Sequence, residues 1–375
     1  MNPAFGLYVH IPFCRQRCHF CAFYLELHRG TAAEAFLRAL HTEIRHYGNL
    51  VAGRPLTSMY FGGGTPTVLE SAQLRMILSA VRESFALEPD CEVTVEAHPA
   101  TVTAADLSAL RRAGVTRLSL GAESMHDVEL VSIGRPGTRS ETMGAVAAAK
   151  AAGFTNINID LMYGLPGQTG RTWAETLEAC CALSPTHVSC YALTAEDGTR
   201  LAHDIRLGTA RPPDESAQIE MDETARQMLT AAGYTRYEIS NYARPGFECR
   251  HNLLYWTQGS YLGLGPSAQS FLDGVRFGNI ANLPAYQSAL GEGRLPVAER
   301  TALTPREQLR DAVIFGLRLE QGIATSSLSD HAVNYGYEEV VKQLRTQKLL
   351  EQTDEHTRLS ALGRLHADTV AEQLF

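Results

Sequence analysis

The chain lacks any run of 18 or more apolar residues, so no segment reads as a membrane-spanning helix. Its opening residues, Met1-Asn2-Pro3-Ala4-Phe5, lack a basic stretch ahead of an apolar one and do not read as a secretory signal. Positive charge is also scarce. Lys and Arg number 33 against 41 Asp and Glu, a net charge of −8, which argues against a general nucleic-acid binder because phosphate affinity comes from clustered cations. Evenly spaced cysteines are missing too. Three of the 8 fall within residues 14–21, and the rest stand at 91, 180, 181, 190 and 249. That distribution reads as metal or catalytic use in a reducing compartment rather than as a disulfide framework, so the expected location is cytoplasmic, with no integral membrane segment.

What is present fits an ordinary globular chain: 375 residues, 45% hydrophobic and 20% charged. The length suggests two or three domains with a large core. Six short β-like runs alternate with helical stretches in the first half: Leu7–Ile11, Ser58–Phe61, Val93–Ala97, Arg117–Leu120, Asn156–Leu161 and His187–Leu193. Helical spacing is expected over Thr31–Tyr47, around Leu74, Ile77 and Val81, and over Ala104–Arg112, Glu141–Ala152 and Thr172–Leu183. Strands separated by helices of this length imply βαβ units, hence an α/β fold built on an incomplete (β/α)6 barrel over residues 1–235. Chemistry in such folds sits at the carboxyl ends of the strands, where the cysteine triplet, a glycine triplet, Glu96 and Asp160 all fall.

Residues 236–300 read as a less regular connecting region with a strand-like Tyr237–Asn241, after one helix over Glu215–Ala231. From Thr304-Pro305-Arg306-Glu307, a capping box, the pattern becomes mostly helical. Leu309, Val313, Phe315 and Leu317 mark a buried helical face, Tyr337–Thr346 a second helix, and Leu349–Leu359 a hairpin before a last helix. Residues 301–375 thus resemble a winged-helix domain. Residues 305–375 hold 8 Lys and Arg against 11 Asp and Glu, a net of −3 that suits a structural or protein-contact role better than DNA binding.

Cys14-x3-Cys18-x2-Cys21 places three soft thiolate ligands on one loop. A [4Fe-4S] cube normally takes four, so three donors leave one iron open to a small ligand with amino and carboxylate groups, such as S-adenosylmethionine (AdoMet). The reduced cluster would then pass an electron to the sulfonium. Zinc with a fourth ligand such as His10 or His19, or a redox thiol group, are the alternatives.

With Tyr8-Val9-His10-Ile11-Pro12-Phe13-Cys14 ahead of it, the triplet resembles the radical AdoMet superfamily, and more narrowly the oxygen-independent coproporphyrinogen III oxidases and the HemW-type heme chaperones. The likeness spans about residues 5–365. It implies an AdoMet site near Tyr8, Phe20 of the cysteine loop, and Gly63, Gly64 and Thr65 of Gly62-Gly63-Gly64-Thr65-Pro66. A helix N-cap is the plainer role for Thr65. Glu96, in Glu96-Ala97-His98-Pro99, matches the family carboxylate, but His98 stands where the family has Asn. Glu123 departs from the family Gln and cannot donate when ionised. Arg135 would meet a carboxylate, and Asp160, in an otherwise apolar strand, the ribose hydroxyls.

Two departures separate chaperone from oxidase. Ala22-Phe23 follows Cys21 where the oxidases carry a fourth cysteine, and only 13 residues precede Cys14. The segment His251-Asn252-Leu253-Leu254-Tyr255-Trp256 resembles the chaperones' HNxxYW signature. His251 would offer an imidazole to heme iron, Tyr255 and Trp256 a flat surface for the macrocycle, and Arg250 a partner for a propionate. A satisfied, partly buried histidine is the plainer reading, and for Cys249 a buried structural thiol. The resemblance therefore implies a chaperone that holds heme and passes it to an acceptor such as a respiratory protein, and it is compatible with a homodimer. A coproporphyrinogen dehydrogenase and a heme-degrading, methyltransferring relative are the enzymatic alternatives.

Overall fold

The computed structural model describes residues 4–374; Met1–Pro3, part of the stretch read for a secretory signal, lie outside the described residues. Six parallel strands lie side by side in chain order: β1 (Phe5–Ile11), β2 (Leu56–Gly63), β3 (Leu87–Ala97), β4 (Arg117–Glu123), β5 (Asn156–Tyr163) and β6 (His187–Ala192). Each contains or overlaps one of the six expected runs. The intervening helices include Gly30–Leu50, Ser71–Ser84, Ala104–Arg112, Arg139–Ala151 and Gly170–Ala182. The fold is the expected α/β incomplete barrel followed by a winged-helix-like unit.

Side-chain alternation decides what the barrel is for. Leu7, Val9 and Ile11 of β1, Met59 and Phe61 of β2, Val93 and Val95 of β3, and Ile157 and Ile159 of β5 join one core with Phe36, Leu40, Leu78 and Trp173 of the helices. Intervening positions carry Tyr8, Tyr60, Thr94, Glu96, Ser119, Asn158, Asp160, His187 and Ser189. Successive strand residues point to opposite faces, so the outer face is apolar and the inner one polar. Several of the inner groups pair with one another. Asn158 Nδ2 donates to Ser119 Oγ at 2.7 Å, Ser119 Oγ to Asp160 Oδ2 at 2.9 Å, and His187 Nδ1 lies 2.6 Å from Asn158 Oδ1. An interior packed with Val, Ile and Leu would close on itself. This one is lined with polar and aromatic side chains instead.

The region expected only to connect instead extends the sheet. β7 (Ser260–Leu264) pairs parallel with β1, and β8 (Gln269–Leu272), β9 (Val275–Asn279) and β10 (Val297–Ala302) follow antiparallel. The strand expected over Tyr237–Asn241 is largely a turn between Thr235–Arg236 and Asn241–Ala243. Ser240 N donates to Glu238 Oε1 at 3.0 Å, a local bond that bends the chain away from a ladder. The helix Arg250–Trp256 packs against β1, β2 and β7.

In the carboxy-terminal unit the capping box of Thr304 and Glu307 opens the helix Pro305–Gly316. Thr325–Tyr335 forms a further helix that the sequence reading did not separate, and Glu338–Thr346 the one it did. Leu350–Gln352 and His356–Leu359 form the expected hairpin, joined by Ile323–Ala324 into a three-stranded sheet. The single last helix expected is two short ones, Ala361–Leu365 and Ala367–Gln373. Val313, Leu328, Leu344, Leu359 and Val370 make a core separate from that of the barrel. No helix among the described residues is long and apolar enough to cross a membrane.

Candidate functional site

The cysteine loop leaves the end of β1 and is clamped on both sides. Phe13–Cys14 pairs with Glu26–Leu27, and His28 N donates to Cys14 O at 2.9 Å. His19 N donates to Ile133 O at 2.9 Å, and Gln16 Nε2 to Gly134 O at 2.9 Å. Cys14 and Cys18 are buried and Cys21 is half-buried. Cys14 Sγ lies 3.5 Å from Thr65 Oγ1, and Arg135 Nη1 donates to Cys18 Sγ at 3.6 Å. Burial pushes the Cys14 and Cys18 thiols up, against the Thr65 hydroxyl and the Arg135 guanidinium respectively. Thiolates here need a compensating positive charge, which an iron centre supplies. His10 does not join the set: its Nε2 lies 3.2 Å from the Tyr24 carbonyl, and burial lowers its pKa to about 4. Among the described residues no three His, Cys, Asp or Glu side chains converge as single-ion ligands.

The glycine turn runs directly beneath the loop. Gly64 N donates to Ile11 O at 2.8 Å and Thr65 N to Phe13 O at 2.7 Å. A Cβ on Gly63, whose φ is +106°, would come within 2.6 Å of the His10 ring, and one on Gly64 within 2.5 Å of Phe13 O. Both positions therefore exclude side chains. Thr65 makes no side-chain cap to the turn that follows it, so its hydroxyl serves Cys14 rather than a helix end.

Glu96 lies against Gly62, where an added Cβ would sit 3.0 Å from the carboxyl. Tyr60 Oη donates to Glu96 Oε1 at 2.8 Å. Burial, then the charge of Asp160, raises Glu96 to about 7. His98, in the family Asn position, keeps the turn supported, because its Nδ1 accepts from Ala100 N at 3.1 Å. Glu123 has a left-handed backbone, φ +64°, and pairs with Arg135 Nη2 at 3.1 Å; burial raises it to about 7. Asp160 is held by Ser119 and by Asn158 Nδ2, the latter at 2.8 Å. Phe20 packs on Ile133, Met162, Leu165, Leu193 and Leu201. The loop, the glycine turn, Glu96, Glu123 and Arg135 thus meet at one mouth of the barrel.

The HNxxYW helix divides its work differently from the sequence expectation. His251 offers no free ring nitrogen: Nδ1 lies 2.9 Å from Ser58 Oγ, Nε2 lies 2.9 Å from Tyr255 Oη, and the residue is 1% exposed. Burial, then Arg117, lowers its pKa to about 3, leaving a neutral imidazole. The reason is position. Its ring lies inside the barrel, stacked on Tyr60 at 5.3 Å and Tyr8 at 6.3 Å. Arg250 pairs with Asp90 Oδ2 at 2.8 Å and lies outside the lining of the cavity described next. Cys249 is the buried thiol of the plainer reading, 3.6 Å from Glu92 Oε1.

Tyr255 and Trp256 instead wall a cavity of about 490 Å³. Tyr8, Gly63 and Glu96 form one end, and Trp256, Arg276, Asp311 and Phe315 another. Sequence reasoning missed Tyr60, Arg276 and Asp311. The alternation of polar residues along β2 was a usable signal for Tyr60, whereas nothing local marked the other two.

Residues 8–180 match the model of the radical SAM superfamily, and residues 303–366 match the HemN C-terminal domain. The heme chaperone HemW of Mycobacterium tuberculosis is 34% identical over 373 residues, covering 99% of this chain and 94% of that protein. HemW of Bacillus subtilis is 31% identical, covering 97% of each. The mitochondrial radical S-adenosyl methionine domain-containing protein 1 of Bos taurus is 33% identical over 92% of this chain and 81% of that one. Among solved structures, coproporphyrinogen III oxidase (HemN) of Escherichia coli superposes with a TM-score of 0.86 at 26% identity, covering 100% of this chain and 90% of that one.

Proposed function

The chain belongs to the HemW-type family of the radical SAM superfamily, and from that premise we propose that it binds heme and passes it to an acceptor protein while carrying a [4Fe-4S] cluster and AdoMet. The observation that carries this reading is one cavity with two kinds of wall: Glu96, Gly63 and Tyr8 beside the cysteine loop, and Tyr255 and Trp256 of the HNxxYW helix. A macrocycle on the aromatic wall would lie next to the cluster end.

The donor set fits the cluster. Cys14, Cys18 and Cys21 are three soft ligands close enough to feel one another's charge, with the Arg135 cation beside them. When bound, cluster and AdoMet supply one-electron chemistry. The protein's own groups do the rest. Gly63 and Gly64 keep the approach to the loop free of side chains. Glu96, oriented by Tyr60, accepts from the ligand's amino or hydroxyl groups. Arg135 balances Glu123 against the Cys18 sulfur. On the heme side Tyr255 and Trp256 supply the surface, and His251 sets the Tyr255 hydroxyl. Iron ligation by His251 requires that hydroxyl to move away.

The second reading, coproporphyrinogen decarboxylation, draws on the full-length superposition with the Escherichia coli oxidase. One experiment separates the two. Anaerobically reconstituted protein is titrated with heme, and in parallel offered coproporphyrinogen III with AdoMet and reductant. Stoichiometric heme binding without decarboxylation is expected; turnover of coproporphyrinogen reverses the ranking. The spectrum of His251→Ala then assigns the histidine: a changed ligand field marks an iron ligand, and weaker binding with an unchanged spectrum marks a positioning role.

A further inference from the structure

The cavity contains one feature that neither the cluster nor the HNxxYW helix explains. Its walls are rich in aromatic rings, with Phe23, Tyr255, Trp256, Phe271 and Phe315 among them. Among the described residues that line it, Arg276 is the one Arg or Lys, and the lining His10 is held neutral by burial. From β9 its guanidinium lies 5.7 Å over the Phe315 ring and donates through Nη2 to Asp311 Oδ2 at 2.7 Å. Asp311 comes from the helix Pro305–Gly316 of the carboxy-terminal unit, and its side chain is 3% exposed against 37% for Arg276. One edge of the guanidinium is therefore taken by a buried internal carboxylate. The rest of its planar fork stays accessible and suits a second carboxylate.

We propose that Arg276 docks a propionate of the tetrapyrrole, with Asp311 as the internal carboxylate that the ligand competes against. This rests on the heme reading. It adds the orientation of the macrocycle: rings against Tyr255, Trp256 and Phe315, acid edge toward β9. It also makes the carboxy-terminal unit part of the ligand site, because Asp311 and Phe315 both come from its first helix.

The test titrates the reconstituted full-length chain with heme and with heme dimethyl ester, whose propionates are blocked. The wild-type chain is expected to prefer heme by roughly tenfold or more, the range of a charge-assisted hydrogen bond. Arg276→Gln should erase that preference. Asp311→Asn should strengthen heme binding, an effect that a poorly folded variant cannot imitate. Equal binding of heme and ester by the wild type, or an unchanged preference in Arg276→Gln, overturns the Arg276 assignment and leaves the heme reading standing. Failure of the wild-type chain to bind heme at all overturns both.

Discussion

In the six-stranded barrel the apolar residues lie outside, against helices, and the polar ones lie inside. In residues 305–374 the middle is apolar, with Val313, Leu328, Leu344 and Val370 packed together and most charged side chains toward water, the buried Asp311 excepted. The two regions respond differently to loss of a group. A core made of methyl groups owes its stability to contact and packing, whereas a polar interior owes its integrity to complete pairing and to what it binds. The barrel has unpaired members. Arg117 Nε and Nη1 and Thr94 Oγ1 are buried with no hydrogen-bond partner among the described residues, and burial raises both Glu96 and Glu123 to about 7.

The sharpest way to break the comparison is Cys18→Ser. Iron and sulfide after anaerobic reconstitution should fall close to background, while denaturant unfolding of the carboxy-terminal unit stays as in the wild type. Leu344→Ala should do the reverse. Leu344 is fully buried, so the substitution should cost about 2–5 kcal/mol of stability in denaturant titration, with iron content retained. If it instead strips the cluster, the two regions are not energetically separate.

A third test uses pH. Glu43 is buried beneath the sheet extension, accepting from Tyr286 Oη at 2.6 Å, Gly265 N at 2.8 Å and Asn279 Nδ2 at 2.6 Å. Burial raises it from the ordinary 4.5 to about 7 despite those donors. Between those values the folded chain holds a proton that the unfolded chain has lost, so this group's contribution to stability falls as pH rises through that window. Melting temperature followed across the window should decline less steeply in Glu43→Gln than in the wild type. The smallest effect is expected for Tyr60→Phe. Losing its hydrogen bond should lift Glu96 further and move the pH midpoint of AdoMet binding upward. An unmoved midpoint would detach Glu96 from that site.

Much of this was legible beforehand. All six barrel strands were visible as short β-like runs between helices, because a strand buried under helices concentrates apolar residues over a few positions. The triplet Cys14, Cys18 and Cys21 was legible because its ligands are neighbours in sequence. The four strands from Ser260 to Ala302 were not. Gly263, Gly278 and the polar Gln269 and Arg276 dilute their pattern, and their faces are defined by pairing partners rather than by local alternation. His251 was singled out, but its orientation was not readable. Ser58 lies 193 residues away, and its hydroxyl helps to hold the ring inside the barrel.

Chain order alone dictated the loop of three sulfurs, the bare glycine turn after β2 and the capping box that opens the carboxy-terminal unit, because each depends on residues within a few positions of one another. Pairing between distant strands decided the rest. It joined Glu96 to Tyr60, enclosed His251, and set Arg276 against Asp311 at the wall of a shared cavity. Such contacts depend on register and helix placement, which form only when the whole sheet does.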